Sequence, residues 1–430
     1  MNQVTALIDA NNFYASCEQS LDPALIGRPV VVLSNNDGCI VARSAEARAL
    51  GIAMGTPYFK AKRDLEQNQV VIRSSNYALY ADMSQRLMSL LESQVEDLEI
   101  YSIDEAFARL SRPSDGNLRP WAQQLRTLAR RNLGLPIAIG LGASKGQAKL
   151  ANRLAKVVPA HAGLFDLGLC RDPDHWLETI SIEDVWGIGR KLSGWCRMRG
   201  VVNARELRDM PSGCLRAKAG VVGVRLQREL QGHACLPLDL QPSAKQETCV
   251  SRSFSHPITS LEELRKAIAT YVVRAAEKLR KQHQRTAALT IYTRTSPFIP
   301  GFYSRAASTS LDLPSNDTRV LLEAALPLVE RIFQPHRPLA KAGVLMQHLQ
   351  GIDQLQQHLW VPCTEEEQQK RESLMKTVDR LNHRYGRGTV QWAACGLDPS
   401  WAMRRERLGR AATTRPVSYT HLTLPTNREV

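Results

Sequence analysis

Residues 98–110, "LEIYSIDEAFARL", set two carboxylates, Asp104 and Glu105, side by side in a run that is otherwise rich in apolar, β-favouring residues. Successive strand residues point to opposite faces of a sheet. A strand running straight through would therefore turn one of the two acids into a core, and a buried carboxylate needs a pairing partner or a metal. The run is predicted to break near Asp104 into two strand halves joined by a turn. At a turn the alternation lapses, and both acids can serve one site. An exposed turn with both acids solvated satisfies the same pattern, so the rest of the chain has to decide.

Upstream, "VTALID", 4–9, reads as a buried strand that also ends in an acid, Asp9, with a helix in "NNFYASCEQSL" capped by Asn11 or Asn12. Further strands are predicted in "GRPVVVLS", 27–34, "QVVIRSS", 69–75, and "PIAIGLGAS", 136–144. Helices are predicted in "SAEARALGI", closed by Gly51, in "YALYADMSQRLMSLLESQ", in "PWAQQLRTLARRNLG" and in the basic "KGQAKLANRLAKVV", 145–158. This alternation makes a mixed α/β unit up to about residue 168. From 172 to 235 the pattern is short helices with glycine-containing turns. "CLPLDLQPSAKQE", 235–247, has the composition of a linker. A second α/β unit runs from 248 to 350, with its clearest strands in "TAALTIYTRT" and "KAGVLMQHL" and helices around 261–283 and 318–333. A glutamine-rich stretch, a charged helix near 364–384 and a Gly- and Trp-containing tail follow.

The bulk numbers agree with several domains, since 430 residues exceed one ordinary core. No apolar run reaches the roughly 18 residues of a membrane span. The start has neither a basic n-region nor a cleavable apolar stretch, which argues against a signal peptide. Nine cysteines without a C-x-x-C pair argue for reduced thiols rather than a zinc knuckle. A net charge of +14 suggests a polyanionic partner, most often nucleic acid. A basic protein without such a partner is the alternative.

If Asp9, Asp104 and Glu105 meet on neighbouring strands, which lie about 5 Å apart, they would repel one another unless cations neutralised them. Two Mg²⁺ ions roughly 3.5–4 Å apart suit such a site and serve in-line phosphoryl displacement. Phe13 and Tyr14 follow just beyond Asp9, placed either to stack on a nucleotide sugar or to fill core. Lys145, Lys149 and Lys156 are either triphosphate ligands, as point charges, or a solvated helix face. Gly187-Ile188-Gly189, followed by Arg190, Lys191, Arg197 and Arg199, resembles a helix-hairpin-helix. Such a turn exposes backbone N–H groups to a DNA phosphate, although a lone G-x-G between helices is commonly only a turn.

The ordered set "IDANNFYASCE", "SNNDGCIVARSAEARALGI", "SSNYALYADMS", "YSIDEAF", "GASKGQAKLANRLAK" and "DVWGIGRKL" resembles the Y-family translesion DNA polymerases. The likeness extends to about residue 415. "AKQETCVSRSF" and "LNHRYGRGTVQWAACG" are similar to one branch, the branch that works with UmuD-type subunits. The resemblance implies a multidomain α/β (α+β) right hand. Its palm would take 1–12 and 81–168, its small fingers 13–80 and its helix-hairpin-helix thumb 169–235. A linker over 236–247, a little finger over 248–350 and a C-terminal region over 351–415 would follow. Asp9, Asp104 and Glu105 match the metal-binding acids for two Mg²⁺ ions. Tyr14 matches the steric gate against ribonucleotides, and Phe13 the residue under the incoming nucleotide. Arg48 and Lys156 match triphosphate contacts, while Gly187, Gly189, Arg190 and Lys191 would hold DNA. Ala45 departs from the pattern where some members place a phosphate-binding Tyr, which leaves Arg43 or Tyr77 to replace it.

"QQHLW", 356–360, resembles a clamp-binding peptide through Gln356, Leu359 and Trp360, with an amphipathic turn as the alternative. The resemblance further implies primer–template DNA and deoxynucleoside triphosphates as substrates. It implies UmuD-type subunits, RecA and the sliding clamp as partners, in the SOS response of a bacterial cytoplasm at the nucleoid. A nucleotide cyclase and a non-catalytic DNA-binding descendant are the competing readings. The basic unit at 248–350 speaks against the first, and the complete acid set against the second. Residues 417–430 look like a translated sequencing adapter rather than native chain.

Overall fold

A computed structural model describes residues 3–241, 243–353, 365–386, 388–397 and 399–409. Gln356, Leu359 and Trp360 and the tail 416–430 lie outside them. The chain divides into two compact units. One holds the residues up to 242 together with those from Glu406 on, and the other spans Ser243–Arg405.

In the first unit the elements are β1 (Gln3–Ala10), α1 (Phe13–Leu21), β2 (Val30–Leu33), β3 (Ile40–Arg43), α2 (Ala45–Ala49), α3 (Tyr58–Gln67), β4 (Val71–Ser74) and α4 (Tyr77–Glu92). Next come β5 (Asp97–Ile100), β6 (Glu105–Ser111), α5 (Arg119–Leu133), β7 (Ile137–Gly142), α6 (Lys145–Val157) and β8 (Leu164–Asp166). Four helices complete it: α7 (Pro173–Glu178), α8 (Arg190–Arg197), α9 (Ala204–Asp209) and α10 (Ser212–Leu230). The main sheet has the order β5-β6-β1-β7-β8 and a small sheet the order β3-β2-β4. β1 is central and antiparallel to both its neighbours, with Asp9 opposite Glu105. The break near Asp104 is real: β5 and β6 form a hairpin whose turn is Tyr101–Asp104.

The core of the main sheet takes in α1 and α4 through Phe13, Ala15, Cys17, Leu79, Tyr80 and Met83. α6 lies hard against β7. A Cβ on Gly140 would sit 2.0 Å from the backbone nitrogen of Asn152, so only glycine permits the approach. Asn152 itself is buried and donates through its side-chain amide to the Ala138 and Leu7 carbonyls at 2.9 and 3.2 Å. The expected asparagine cap of α1 is not what forms. Asn12 occupies the cap position in the left-handed region without a side-chain hydrogen bond. The expectation of short helices with glycine-containing turns over 172–235 agrees with the structure, including its last helical stretch. Within α10 the backbone breaks at Gly220, where φ is +63°, so the stretch is two short helices in succession.

The second unit contains β9 (Thr248–Ile258), α11 (Leu261–Lys281), β10 (Gln284–Thr295), β11 (Ser304–Ser315), α12 (Thr318–Ile332), β12 (Leu339–Gly351) and α13 (Glu365–Tyr385). Its antiparallel sheet has the order β11-β10-β12-β9. α11 and α12 bury their apolar stripes against it, around Ile268, Val272, Leu279, Leu321 and Val344. Trp401, far along the chain, is buried in the same core, with its ring 5.7 Å from that of Tyr271.

Candidate active site

Lys145, Lys149, Asn152 and Lys156 are spaced 4, 3 and 4 residues apart, which places them on one stripe of α6. Asn152 pins that stripe to the sheet, and the three lysines lie across three neighbouring strands. Lys145 pairs with Glu99 of β5. Lys149 reaches both oxygens of Glu105 on β6 at 2.8 Å. Lys156 lies 2.6 Å from an oxygen of Asp9 on β1. The stripe is therefore not a solvated basic face. It meets the acids that the strand ends present.

A cleft opens at the carboxyl end of β1. Its walls are Asp9, Ala10, Asn12, Phe13, Tyr14, Val41, Ala42, Arg43, Arg48, Met54, Ile103, Asp104 and Lys156. Seven residues singled out from the sequence meet here: Asp9, Phe13, Tyr14, Arg43, Arg48, Asp104 and Lys156. Glu105 does not line the cleft. It stands beside Asp9 on the neighbouring strand and pairs with Lys149, and the ammonium of Lys149 lies over the Tyr101 ring at 4.5 Å, with the Phe107 and Trp186 rings at 5.7 and 5.8 Å. Asp104 accepts from the Ser102 hydroxyl, and its carbonyl receives the Ala10 N–H at 2.8 Å.

Burial pushes the Asp9 carboxyl up to about 6; Lys156 opposes the shift, and the nearby Asp104 and Glu105 charges reinforce it. Below that pH the group holds a proton, and above it a negative charge that wants a cation. The donors are carboxylate oxygens, the kind that suit Mg²⁺. No three acids, histidines or cysteines among the described residues already close on one point. The residues fit a divalent cation once the two lysines give way.

Arg48 is exposed, and no salt bridge among the described residues holds it. Arg43, one candidate to replace the missing Tyr, lines the cleft and donates to the Ile52 carbonyl. Tyr77, the other, packs edge-on to Tyr14 with centroids 6.3 Å apart. Sequence reasoning missed Tyr80, whose ring stacks on Tyr14 at 4.3 Å and 13°. Its spacing from Tyr77, three residues along one helix, was the available signal. Away from the cleft, Gly187 has φ +84° and Gly189 sits immediately before α8. Arg190 and Lys191 are exposed there, while Arg197 is tied to Glu183 and Arg199 lies on Trp195.

Family models match on this frame. The impB/mucB/samB model covers residues 8–153, its C-terminal-domain model covers 245–359, and a domain of unknown function, DUF4113, covers 372–416. Protein UmuC of Salmonella typhimurium is 41% identical over 95% of this chain and 98% of its own. The chain belongs to the impB/mucB/samB family. Another member, Protein SamB of the same species, is 38% identical over 95% of this chain and 97% of its own. The fold extends beyond the family. A chimera of the Y-family DNA polymerases Dbh and Dpo4 superposes with a TM-score of 0.62 at 19% identity, covering 81% of this chain and 99% of the chimera. The impB/mucB/samB chain therefore has the multidomain α/β fold of Y-family polymerases. Its eight described cysteines are all free, and no described helix is long and apolar enough to cross a membrane.

Proposed function

We propose that this protein is an error-prone translesion DNA polymerase. It adds deoxynucleotides to a primer 3′-hydroxyl opposite damaged template, in the SOS response. What carries the reading is the cleft that gathers Asp9, Asp104, Tyr14, Arg48 and Lys156 on a polymerase fold. In this reading the main sheet is the palm, the small sheet the fingers, the segment around α8 the thumb and the second unit the little finger.

Asp9, Asp104 and Glu105 would hold Mg²⁺, two ions by the resemblance. When bound, the metal supplies a lowered hydroxyl pKa and neutralises triphosphate charge. Lys156 and Arg48 bind the triphosphate. Because Lys156 is already paired with half-buried Asp9, an arriving triphosphate draws the ammonium away and frees that carboxylate. No protein nucleophile is needed, because the primer oxygen attacks the α-phosphate directly. The chain positions the primer oxygen against the α-phosphate and balances charge, as phosphoryl transfer requires. Tyr14 stands where a ribose 2′-hydroxyl would project, with Phe13 beneath. The open turn at Gly187–Gly189 and the cations beside it hold DNA phosphates, so binding should weaken steeply with salt. UmuD-type subunits, RecA and the sliding clamp are partners by family kinship, the clamp through Gln356, Leu359 and Trp360.

Primer extension with and without Mg²⁺ tests the whole. Asp104→Ala should lower single-nucleotide extension by several orders of magnitude at saturating DNA while DNA binding persists. A near-wild-type rate would reduce the acids to a solvated turn. Tyr14→Ala should raise ribonucleotide incorporation with deoxynucleotide use largely kept, and unchanged sugar discrimination would remove the gate.

A further inference from the structure

Tyr14 and Glu18 stand one turn apart on α1, so they share a face of that helix. Tyr80 of α4 fills the space between them. Its ring lies flat on Tyr14, and its hydroxyl donates to an oxygen of Glu18 at 2.8 Å. Tyr80 has no solvent exposure, and Glu18 is 4% exposed. Neither lines the cleft, whereas Tyr14 does. The Arg73 guanidinium lies 3.8 Å from the second Glu18 oxygen, and Tyr77 closes the edge of the stack at 6.3 Å from Tyr80. A carboxylate this deeply buried is costly unless paired. Pairing it with a hydroxyl whose own ring backs a cleft residue ties its place to that ring.

A tyrosine in the first turn of a helix can rotate about its side-chain bonds. A parallel ring behind it removes one direction of that freedom, and a hydrogen bond at the far end of the second ring keeps the backing ring from sliding. We infer that Glu18 and Tyr80 are positioning residues that fix the plane of Tyr14 and thereby set how strictly the cleft excludes a ribose. This rests on the gate reading of Tyr14 given above. It adds that the gate is only as sharp as the buried pair behind it.

The test compares kcat/KM for a deoxynucleoside triphosphate and its ribose counterpart on one primer–template. Tyr80→Leu removes the stack and should lower sugar discrimination about three- to tenfold, the scale of one aromatic pair. The change should come mainly through a lower KM for the ribonucleotide. Tyr80→Phe cuts the tie between the pair, Glu18→Leu cuts it together with the Arg73 contact, and both should give smaller losses. Glu18→Gln, whose amide oxygen still accepts from the hydroxyl, should restore discrimination to within about twofold of wild type. A merely structural Glu18 would not single out sugar discrimination or be rescued in this way.

Tyr14→Ala and the double variant Tyr14→Ala/Tyr80→Leu should discriminate equally, because Tyr80 acts through Tyr14. If Tyr14→Ala loses discrimination while Tyr80→Leu, Tyr80→Phe and Glu18→Leu all keep it, the positioning role is overturned and the gate stands. If Tyr14→Ala itself discriminates as wild type, the gate falls and the positioning role with it. Should Tyr80→Leu not fold, Tyr80→Phe, which keeps the ring in the core, decides alone.

Discussion

Two regions of the molecule hold charge in opposite ways. At the site, half-buried carboxylates meet lysines: Lys156 on Asp9 and Lys149 on Glu105. In the second unit, α13 is held by arginines. Arg280 grips Asp379 with two nitrogens at 2.7 and 2.8 Å and also donates to the Asn316 carbonyl and the Thr318 hydroxyl. Arg285 adds a bond to Glu372 at 2.9 Å. A guanidinium forks onto a carboxylate in a fixed geometry, whereas an ammonium is a mobile point charge on a flexible stem. The forked pair suits a permanent joint. The point charge suits a place where a carboxylate must change partners when substrate and metal arrive. Under the proposed function, the forked pairs are the structural ones and the ammonium pairs the ones that exchange.

Lys156 gives the sharpest way to break that contrast. Lys156→Ala should raise KM for the deoxynucleotide and lower kcat/KM at least about tenfold, through loss of a charge-assisted triphosphate contact. Lys156→Arg keeps the charge but should stay impaired, because a fork would hold Asp9 too firmly to release it. Full activity in Lys156→Arg would mean that exchangeability is irrelevant. Arg280→Lys probes the other side. Losing the fork should cost the second unit about 1–2 kcal/mol, read as a Tm lower by roughly 2–4 °C for each kcal/mol. Extension of a short substrate by the same variant should stay near wild type. Arg285→Lys should do least, under about 1 kcal/mol, since Glu372 is 41% exposed and water screens the pair. A larger loss there than at Arg280 would invert the ranking.

Legibility followed burial. The strands and helices with strong apolar periodicity, such as β1, β7, α4, α6 and α11, lie within a few residues of where the pattern puts them. β11 was not legible. It is a sheet edge whose stretch "SRAASTSLDLPS" shows little buried apolar surface, so no hydrophobic alternation marks it. In the site, Asp9, Tyr14, Asp104 and Lys156 were legible as residue types beside predicted strand ends and on a basic helix, whereas Arg48 was legible only through the family resemblance.

By itself, then, the sequence determined the family, the alternation of elements and the identities of the acids and the tyrosine beside them. Those are properties of local order along the chain, where period and spacing act directly. Only the tertiary structure decided which charge faces which. Asp9 and Lys156 stand 147 positions apart, and Glu18 and Tyr80 stand 62 apart. The packing of α6 on β7, permitted by the missing side chain of Gly140, turns the lysine stripe onto three strands at once. The packing of α4 against α1 puts Tyr80 behind Tyr14. Partners so distant in sequence leave no periodic trace, because the free energy that joins them comes from burying two surfaces together and not from either segment alone.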